Sequence, residues 1–378
     1  MLDVKGIDIF GINGINDLKI VFEPGINIIC GRNGVGKTTI LECIATGITN
    51  KKNNKLSKNL SSSEGYYFIY GYNDYDPFSQ ERYLDTKNNN RHTRKISNNL
   101  LYFTIHRTQS NSFKMKSIQK WFGEMFEKNQ LAISEYDDLQ LAIECFQKLD
   151  PNIKFSRVIF KNSNKDKSFN PRYYNNEFIE TDAEILVSTL EGEIPLSYLS
   201  AGYLSCLSIF LEIIKKATDV DFNQPIREYD GLILIDEIDL HLHPEWQKKI
   251  LEILRWMVPN AQIIATTHSP HIVQVTQANE VITIKNNYGL CFAQRNNANL
   301  EYGYQGWSIE EILEDVMGLK NTHSDLYNEL IESIKYSIDH LEIDNAQYNL
   351  EELKRLLHPN NPLGKILSIQ IATMRGNL

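Results

Sequence analysis

An α/β fold is predicted by three stretches of this sequence. Ile26-Asn27-Ile28-Ile29-Cys30 is rich in β-branched apolar residues and suits a buried strand. It runs into Gly31-Arg32-Asn33-Gly34-Val35-Gly36-Lys37-Thr38, a loop of the form G-x-x-x-x-G-K-T, after which Thr39-Ile40-Leu41-Glu42-Cys43-Ile44-Ala45 has helical character. Far downstream, Leu232-Ile233-Leu234-Ile235 is a second aliphatic strand, ending in the adjacent carboxylates Asp236 and Glu237. A strand, a glycine-rich loop and a helix in that order make a phosphate-binding P-loop. Its glycines let successive backbone N–H groups turn toward phosphate, and the helix N-terminus adds partial positive charge.

A length of 378 residues allows about two ordinary domains, or one large domain with insertions. The 42% hydrophobic and 23% charged shares are ordinary for a globular chain with a sizeable core. No uninterrupted apolar run is long enough to span a bilayer, so no membrane partner is expected. Asp3, Lys5 and Asp8 near the N-terminus leave no apolar signal core, which argues against export. The five cysteines, Cys30, Cys43, Cys145, Cys206 and Cys291, stand singly without a C-x-x-C pair. That argues against structural zinc and for a reducing, cytoplasmic setting. A net charge of −9 disfavours nucleic-acid binding across the whole surface and leaves room for a local basic patch.

In chain order, Ile7-Asp8-Ile9-Phe10 and Leu18-Lys19-Ile20-Val21-Phe22 predict sheet leading to the P-loop. In the loop, Lys37 would reach the β- and γ-phosphates of a nucleotide, and Thr38 would offer its hydroxyl to Mg²⁺. Gly31, Asn33, Gly34, Gly36 and Thr39 complete the candidate nucleotide-binding set. Residues 51–100 are rich in Asn, Lys and Ser, with nine Lys or Arg against five Asp or Glu, and suggest a polar surface insertion over about 46–99. Its Lys51, Lys52, Lys55, Lys58, Arg91, Arg94 and Lys95 are candidates for a nucleic-acid backbone, and Tyr66 and Tyr67 for base stacking; a solvated loop has the same composition.

Leu100 to Ile105 is a further strand, followed by His106-Arg107-Thr108-Gln109. Gln109 is a candidate metal or γ-phosphate sensor, although a Gln after a strand is also an ordinary turn residue. Ile118, Trp121, Phe122, Met125 and Phe126, then Leu139, Ile143 and Phe146, mark helices over 114–150. No heptad pattern persists, so a long coiled-coil arm is not expected. Short β-like runs fill 151–197. Leu199-Ser200-Ala201-Gly202-Tyr203 then precedes an apolar helix, and taken alone shows no more than a helix cap.

Asp236 is placed by its strand to enter a metal shell, and Glu237 to polarise an attacking water. Pro244 suits the first turn of the next helix. His241 and His243, with Asp239 nearby, have the residue types of a metal site but lack third and fourth ligands at a usual spacing. Ala261 to Thr267 is another buried strand, and it delivers His268 to its end. Beyond residue 301, Ser308 and Glu311 make a capping box, Gly318 can end that helix, and two apolar stripes follow, Leu326 to Ile338 and Ala346 to Leu357. The tail carries thirteen Asp or Glu against six Lys or Arg and no enzyme motif.

The P-loop, Leu-Ser-x-Gly, aliphatic Asp-Glu and Thr-His-Ser-Pro, in that order over about residues 4–290, resemble the ABC-type ATPases of the SMC and RecF-like group. The resemblance implies an α/β P-loop NTPase of ABC-ATPase type with a mixed β-sheet core, a helical insertion and a C-terminal helical tail, ATP and Mg²⁺ as ligands, and ATP hydrolysis. It also implies a head-to-head dimer in which Ser200 and Gly202 act on the partner's nucleotide, with Asp239 at the dimer contact. Glu237 would be the catalytic base, His268 the γ-phosphate switch, and Lys37 the phosphate-neutralising cation. Ala201 and Tyr203 depart from the usual Leu-Ser-Gly-Gly-Gln signature. Asp-Glu-Ile-Asp-Leu-His-Leu-His-Pro-Glu-Trp-Gln is similar to the armless ATPases of prokaryotic defence, and the helical tail to the Septu anti-phage family, whose ATPases work with a separate HNH nuclease. The alternative is a DNA-repair ATPase of the same group that binds DNA directly. The expected domains are residues 1–110, an N-terminal ATPase lobe; 111–198, a helical and β subdomain; 199–300, a C-terminal ATPase lobe; and 301–378, a helical tail for interaction.

Overall fold

A computed structural model describes the chain except for residues 52, 85–94, 106–110, 132–136, 163–180, 220–224, 288–289, 296–300, 320 and 377–378. The described residues form two compact units, Met1–Gly318 and Leu319–Leu378. The larger unit is an α/β domain. Its strands are β1 (Leu2–Ile12), β2 (Ile15–Val21), β3 (Ile26–Gly31), β4 (Tyr66–Asn73), β5 (Asp76–Tyr83), β6 (Leu100–Phe103), β7 (Lys154–Asn162), β8 (Thr181–Thr189), β9 (Gly192–Pro195), β10 (Leu232–Ile235), β11 (Gln262–Thr266), β12 (Val281–Asn287) and β13 (Leu290–Arg295). Its main helices are α1 (Lys37–Thr49), α2 (Asn111–Leu131), α3 (Asp137–Leu149), α4 (Ala201–Asp219), α5 (Pro244–Met257) and α6 (Pro270–Gln274).

Three sheets share these strands. The central one runs β13-β12-β3-β11-β10-β6 and is parallel from β12 to β6, with β13 added antiparallel at one edge. Strands buried on both faces read as continuous aliphatic runs, and every residue of β3, β10 and β11 is buried. Register pairs Ile235 with Ala265 and Ile29 with Thr266, so the carboxyl ends of β3, β10 and β11 lie side by side. In open α/β sheets, ligands bind at that edge.

One core layer packs α2, α3, α4 and α5 on one side of this sheet, around Phe122, Phe146, Tyr203, Phe210 and Leu254. The other packs α1 between the central sheet and an antiparallel sheet of order β2-β1-β4-β5. β7-β8-β9 form the third sheet, against which α2 lies.

Part of the expected polar insertion is regular sheet. Residues 66–83 form the β4/β5 hairpin of the second sheet, with β4 paired along β1. Tyr67 and Ile69 alternate inward and are wholly buried, so Tyr67 is not available for base stacking. Tyr66 lies against Phe10 and Tyr83 within the sheet. The run of Asn, Lys and Ser on either side hides this alternation from composition.

The tail boundary also moves. Tyr304, Ile312, Val316 and Met317 pack with Cys30, Val273 and Val281, so 301–318 belongs to the larger unit. There the Ser308/Glu311 capping box starts a short α7 (Ile309–Glu311), and one π turn (Ile312–Val316) carries the chain to Gly318 at φ 74°. The smaller unit holds α8 (Asp325–Asp339), α9 (Ile343–Leu356) and α10 (Leu363–Gly376) around Ile334, Ala346, Leu350, Leu353 and Ile371. Among the described residues no helix is long and apolar enough to cross a membrane.

Candidate functional site

The edge formed by β3, β10 and β11 carries the residues that the sequence singled out. After β3 the chain turns through Gly34 at φ 79° and Gly36 at φ 95°, the left-handed region that favours glycine. A side chain at Gly36 would also stand 2.7 Å from the Ile15 side chain. Gly36 is the N-cap of α1, whose first turn has no side-chain cap, so its backbone N–H groups are available to an anion. Gly31 ends β3 against the Ile284 carbonyl, and Asn33 lies exposed on the crown of the loop.

Lys37 is buried and donates from Nζ to the carbonyls of Gly31 at 2.9 Å and Arg32 at 3.0 Å. Its Nζ also lies 3.5 Å from His268 Nδ1. Burial brings the ammonium down from its ordinary 10.5 to about 8, against the pull of Glu237, Asp239 and Asp236. The His268 imidazole is likewise pushed down, by burial first and by Lys37 second, which favours a neutral ring.

Thr38 donates its hydroxyl to Asp236 Oδ1 at 3.2 Å, bringing a hydroxyl from α1 and a carboxylate from β10 to one point. Those are hard oxygen donors of the kind a Mg²⁺ ion takes. Asp236 is only 1% exposed, and its backbone N–H is fixed by the Phe103 carbonyl at 2.8 Å. Glu237 follows at φ 48°, a left-handed conformation uncommon for a residue other than glycine. Asp239 accepts from the Thr267 hydroxyl at 2.6 Å and the His268 N–H at 3.2 Å, tying the segment after β10 to the end of β11. Thr39 faces away from the loop crown and accepts from Asn13 Nδ2 at 3.1 Å.

Ser200 and Gly202 open α4. The Ser200 hydroxyl accepts from the Tyr203 N–H at 3.3 Å, as a cap does. Among the described residues no hydrogen bond joins Ser200 to the Lys37–Asp236–His268 group of the same chain. Tyr203, the departure in that motif, is a core residue whose hydroxyl donates to the Phe146 carbonyl at 3.0 Å. A side chain at Gly202 would meet Trp246 at 2.5 Å, so this glycine lets α4 approach α5 closely.

Other expectations fall differently. Gln109, Lys52, Arg91 and Arg94 lie outside the described residues. Lys55 reaches back to the buried Glu42 carboxylate at 3.4 Å. His243 caps α5 through Nδ1, and among the described residues no group of three His, Cys, Asp or Glu is placed to hold a metal ion. Sequence reasoning missed Thr266, whose buried hydroxyl touches both Asp236 and Glu237. It also missed Arg32, which bonds the Gly318 carbonyl from Nε at 2.6 Å. A Thr inside an aliphatic run looks like any other β-branched strand residue, so neither left a local signal.

Residues 45–273 match the AAA ATPase domain family. The chain is 36% identical to Septu protein PtuA of Bacillus thuringiensis over 98% of both chains. It is 28% identical to the Retron Ec83 probable ATPase of Escherichia coli, over 44% of this chain and 30% of that protein. Among solved structures, the SmcHead bound to the C-winged helix domain of ScpA aligns at a TM-score of 0.53 and 15% identity, over 77% of this chain and 97% of that one. At that identity the likeness is one of fold.

Proposed function

The chain belongs to the AAA ATPase domain family and, within it, with the Septu PtuA proteins, and on that premise we propose that it is an ATP-hydrolysing dimeric head that controls a separate nuclease in defence against phage. The observation that carries the reading is the meeting of Lys37, Thr38, Asp236 and His268 at one sheet edge with Glu237 beside them. Backbone N–H groups of the loop and α1 would cradle the phosphates of ATP, with Lys37 exchanging its carbonyl partners for phosphate oxygens. Thr38 and Asp236 would hold Mg²⁺, which supplies charge neutralisation on the phosphates. Glu237 would accept the proton of the attacking water, and neutral His268 would bond the γ-phosphate. Ser200 and Gly202, set apart from this group in their own chain, suit the other face of a nucleotide bound by a second head. Closing such a sandwich depends on ATP binding the closed pair more tightly than the open one.

The partner proposed is a small HNH nuclease of the PtuB type, by membership of the Septu family. The alternative, direct DNA binding, loses support from the 51–100 region, where Tyr67 is buried and Lys55 is paired. Glu237→Gln is expected to keep ATP binding, accumulate the ATP-bound dimer and lower turnover by about a hundredfold or more. Lys37→Ala is expected to weaken nucleotide binding itself. Native mass and phosphate release read both. Undiminished turnover in Glu237→Gln would remove Glu237 from the catalytic role. A tagged pull-down from the native host tests the partner: a stoichiometric HNH protein supports the defence reading, and DNA alone supports the repair-type head.

A further inference from the structure

The last residue of β11 touches two groups at the site at once. Thr266 is fully buried, and its hydroxyl donates to Asp236 Oδ1 at 2.7 Å while accepting the Glu237 backbone N–H at 2.7 Å. Its carbonyl accepts the Ile238 N–H at 2.9 Å. Three consecutive residues after β10 are therefore held by one residue of the neighbouring strand. A hydroxyl can give a proton to a carboxylate and accept one from an amide in the same position, which no aliphatic side chain can.

We propose that Thr266 is the positioning residue of this site, orienting the Asp236 carboxylate toward the cation position it shares with Thr38 and holding Glu237 in its left-handed conformation. The inference rests on the ATPase reading given above and goes beyond it by naming the residue that sets two of its roles. Two points make the hydroxyl more than packing. Asp236 Oδ1 receives both Thr38 and Thr266, so the rotation of the carboxylate about its last bond is fixed from two sides. Glu237 at φ 48° is held in a conformation that is sterically disfavoured for a residue with a Cβ, and a bonded N–H offsets part of that cost. Freed from that bond, the peptide relaxes toward ordinary angles and the carboxylate of Glu237 moves with it.

Three variants of the full chain test this. Thr266→Val keeps the shape and removes both bonds, Thr266→Ser keeps both bonds and removes the methyl, and Thr266→Ala, which also removes both bonds, replaces Thr266→Val should that protein not fold. Nucleotide affinity is measured by calorimetry with Mg²⁺ and with EDTA, Mn²⁺ binding by electron paramagnetic resonance, and turnover by phosphate release. Thr266→Val is expected to bind nucleotide as the wild type does in EDTA, to lose about tenfold or more in its Mg²⁺-dependent affinity, and to slow turnover by at least as much. Thr266→Ser restores both. Equal losses with and without Mg²⁺, or a Thr266→Ser protein no better than Thr266→Val, would mean the residue only packs, and the proposal falls. A wild type that binds Mg²⁺ and nucleotide but never releases phosphate would overturn the hydrolytic reading, while the metal and affinity measurements would still decide the role of Thr266.

Discussion

Lys37 is itself buried, on the Gly31 and Arg32 carbonyls, and that burial sets how nucleotide binding depends on pH. With the free ammonium at about 8, half of the molecules hold Lys37 neutral at that pH. Phosphate oxygens favour the charged form, so binding above pH 8 must draw in a proton. Affinity for ATP is accordingly expected to be flat below about pH 8 and to fall by up to about tenfold per pH unit above it. Calorimetry in two buffers of different ionisation enthalpy reads the proton directly, and a pH-independent affinity up to pH 9.5 (a range of roughly ten- to thirtyfold by the same linkage) would refute it. The free fold responds with the opposite sign. The cost of burying the ammonium is present below pH 8 and is relieved as pH rises from 8 toward the unfolded value of 10.5.

At the scale of the element, the loop between β3 and α1 has two glycines with different reasons to be glycine. Gly34 needs only its positive φ, since a side chain there meets nothing within 4 Å. Gly36 needs both its φ and the room taken by Ile15. Gly34→Ala is expected to cost about 1–2 kcal/mol of backbone strain. Gly36→Ala should cost more, and should weaken nucleotide binding further by shifting the N-cap of α1. Thermal unfolding with and without ATP ranks the two, and equal losses would show that the Ile15 contact yields without cost. The two strands flanking the site divide the work. β10 leads into Asp236 and Glu237, and the end of β11 supplies the Thr266 and Thr267 hydroxyls and the His268 N–H that hold the segment 236–239.

At the scale of the molecule, every residue of the candidate site lies within Met1–Gly318. Segment 301–318 is anchored there three times: by its apolar cluster on Cys30 and Val273, by the bond from Gln274 Nε2 to the Trp307 carbonyl at 2.8 Å, and by Arg32 on Gly318. Leu319–Leu378 has a core of its own. A chain ending at Gly318 is therefore expected to fold and to bind ATP with affinity within about threefold of the full chain, a difference under about 0.7 kcal/mol. Circular dichroism and calorimetry check this. Loss of binding in a folded protein would show that the smaller unit takes part in the nucleotide site.

The sequence alone determined what is written in contiguous residues. The P-loop, the aliphatic strand ending in Asp236-Glu237, the strand ending in His268 and the Ser308 capping box are each carried by fewer than about a dozen neighbours, and local sterics and hydrogen bonding suffice to specify them. The α/β class followed from the same stretches. Tertiary structure decided what depends on partners far apart in the chain. The β4/β5 hairpin became sheet because β1 offered a backbone edge and α1 an apolar face to Tyr67 and Ile69. Arg32 and Gly318 meet across 286 residues, and Thr266 acquired its bonds only when parallel register set β11 beside β10. A hydroxyl or a guanidinium has no pattern of its own, because its meaning is the group it faces, and that group is chosen by the fold.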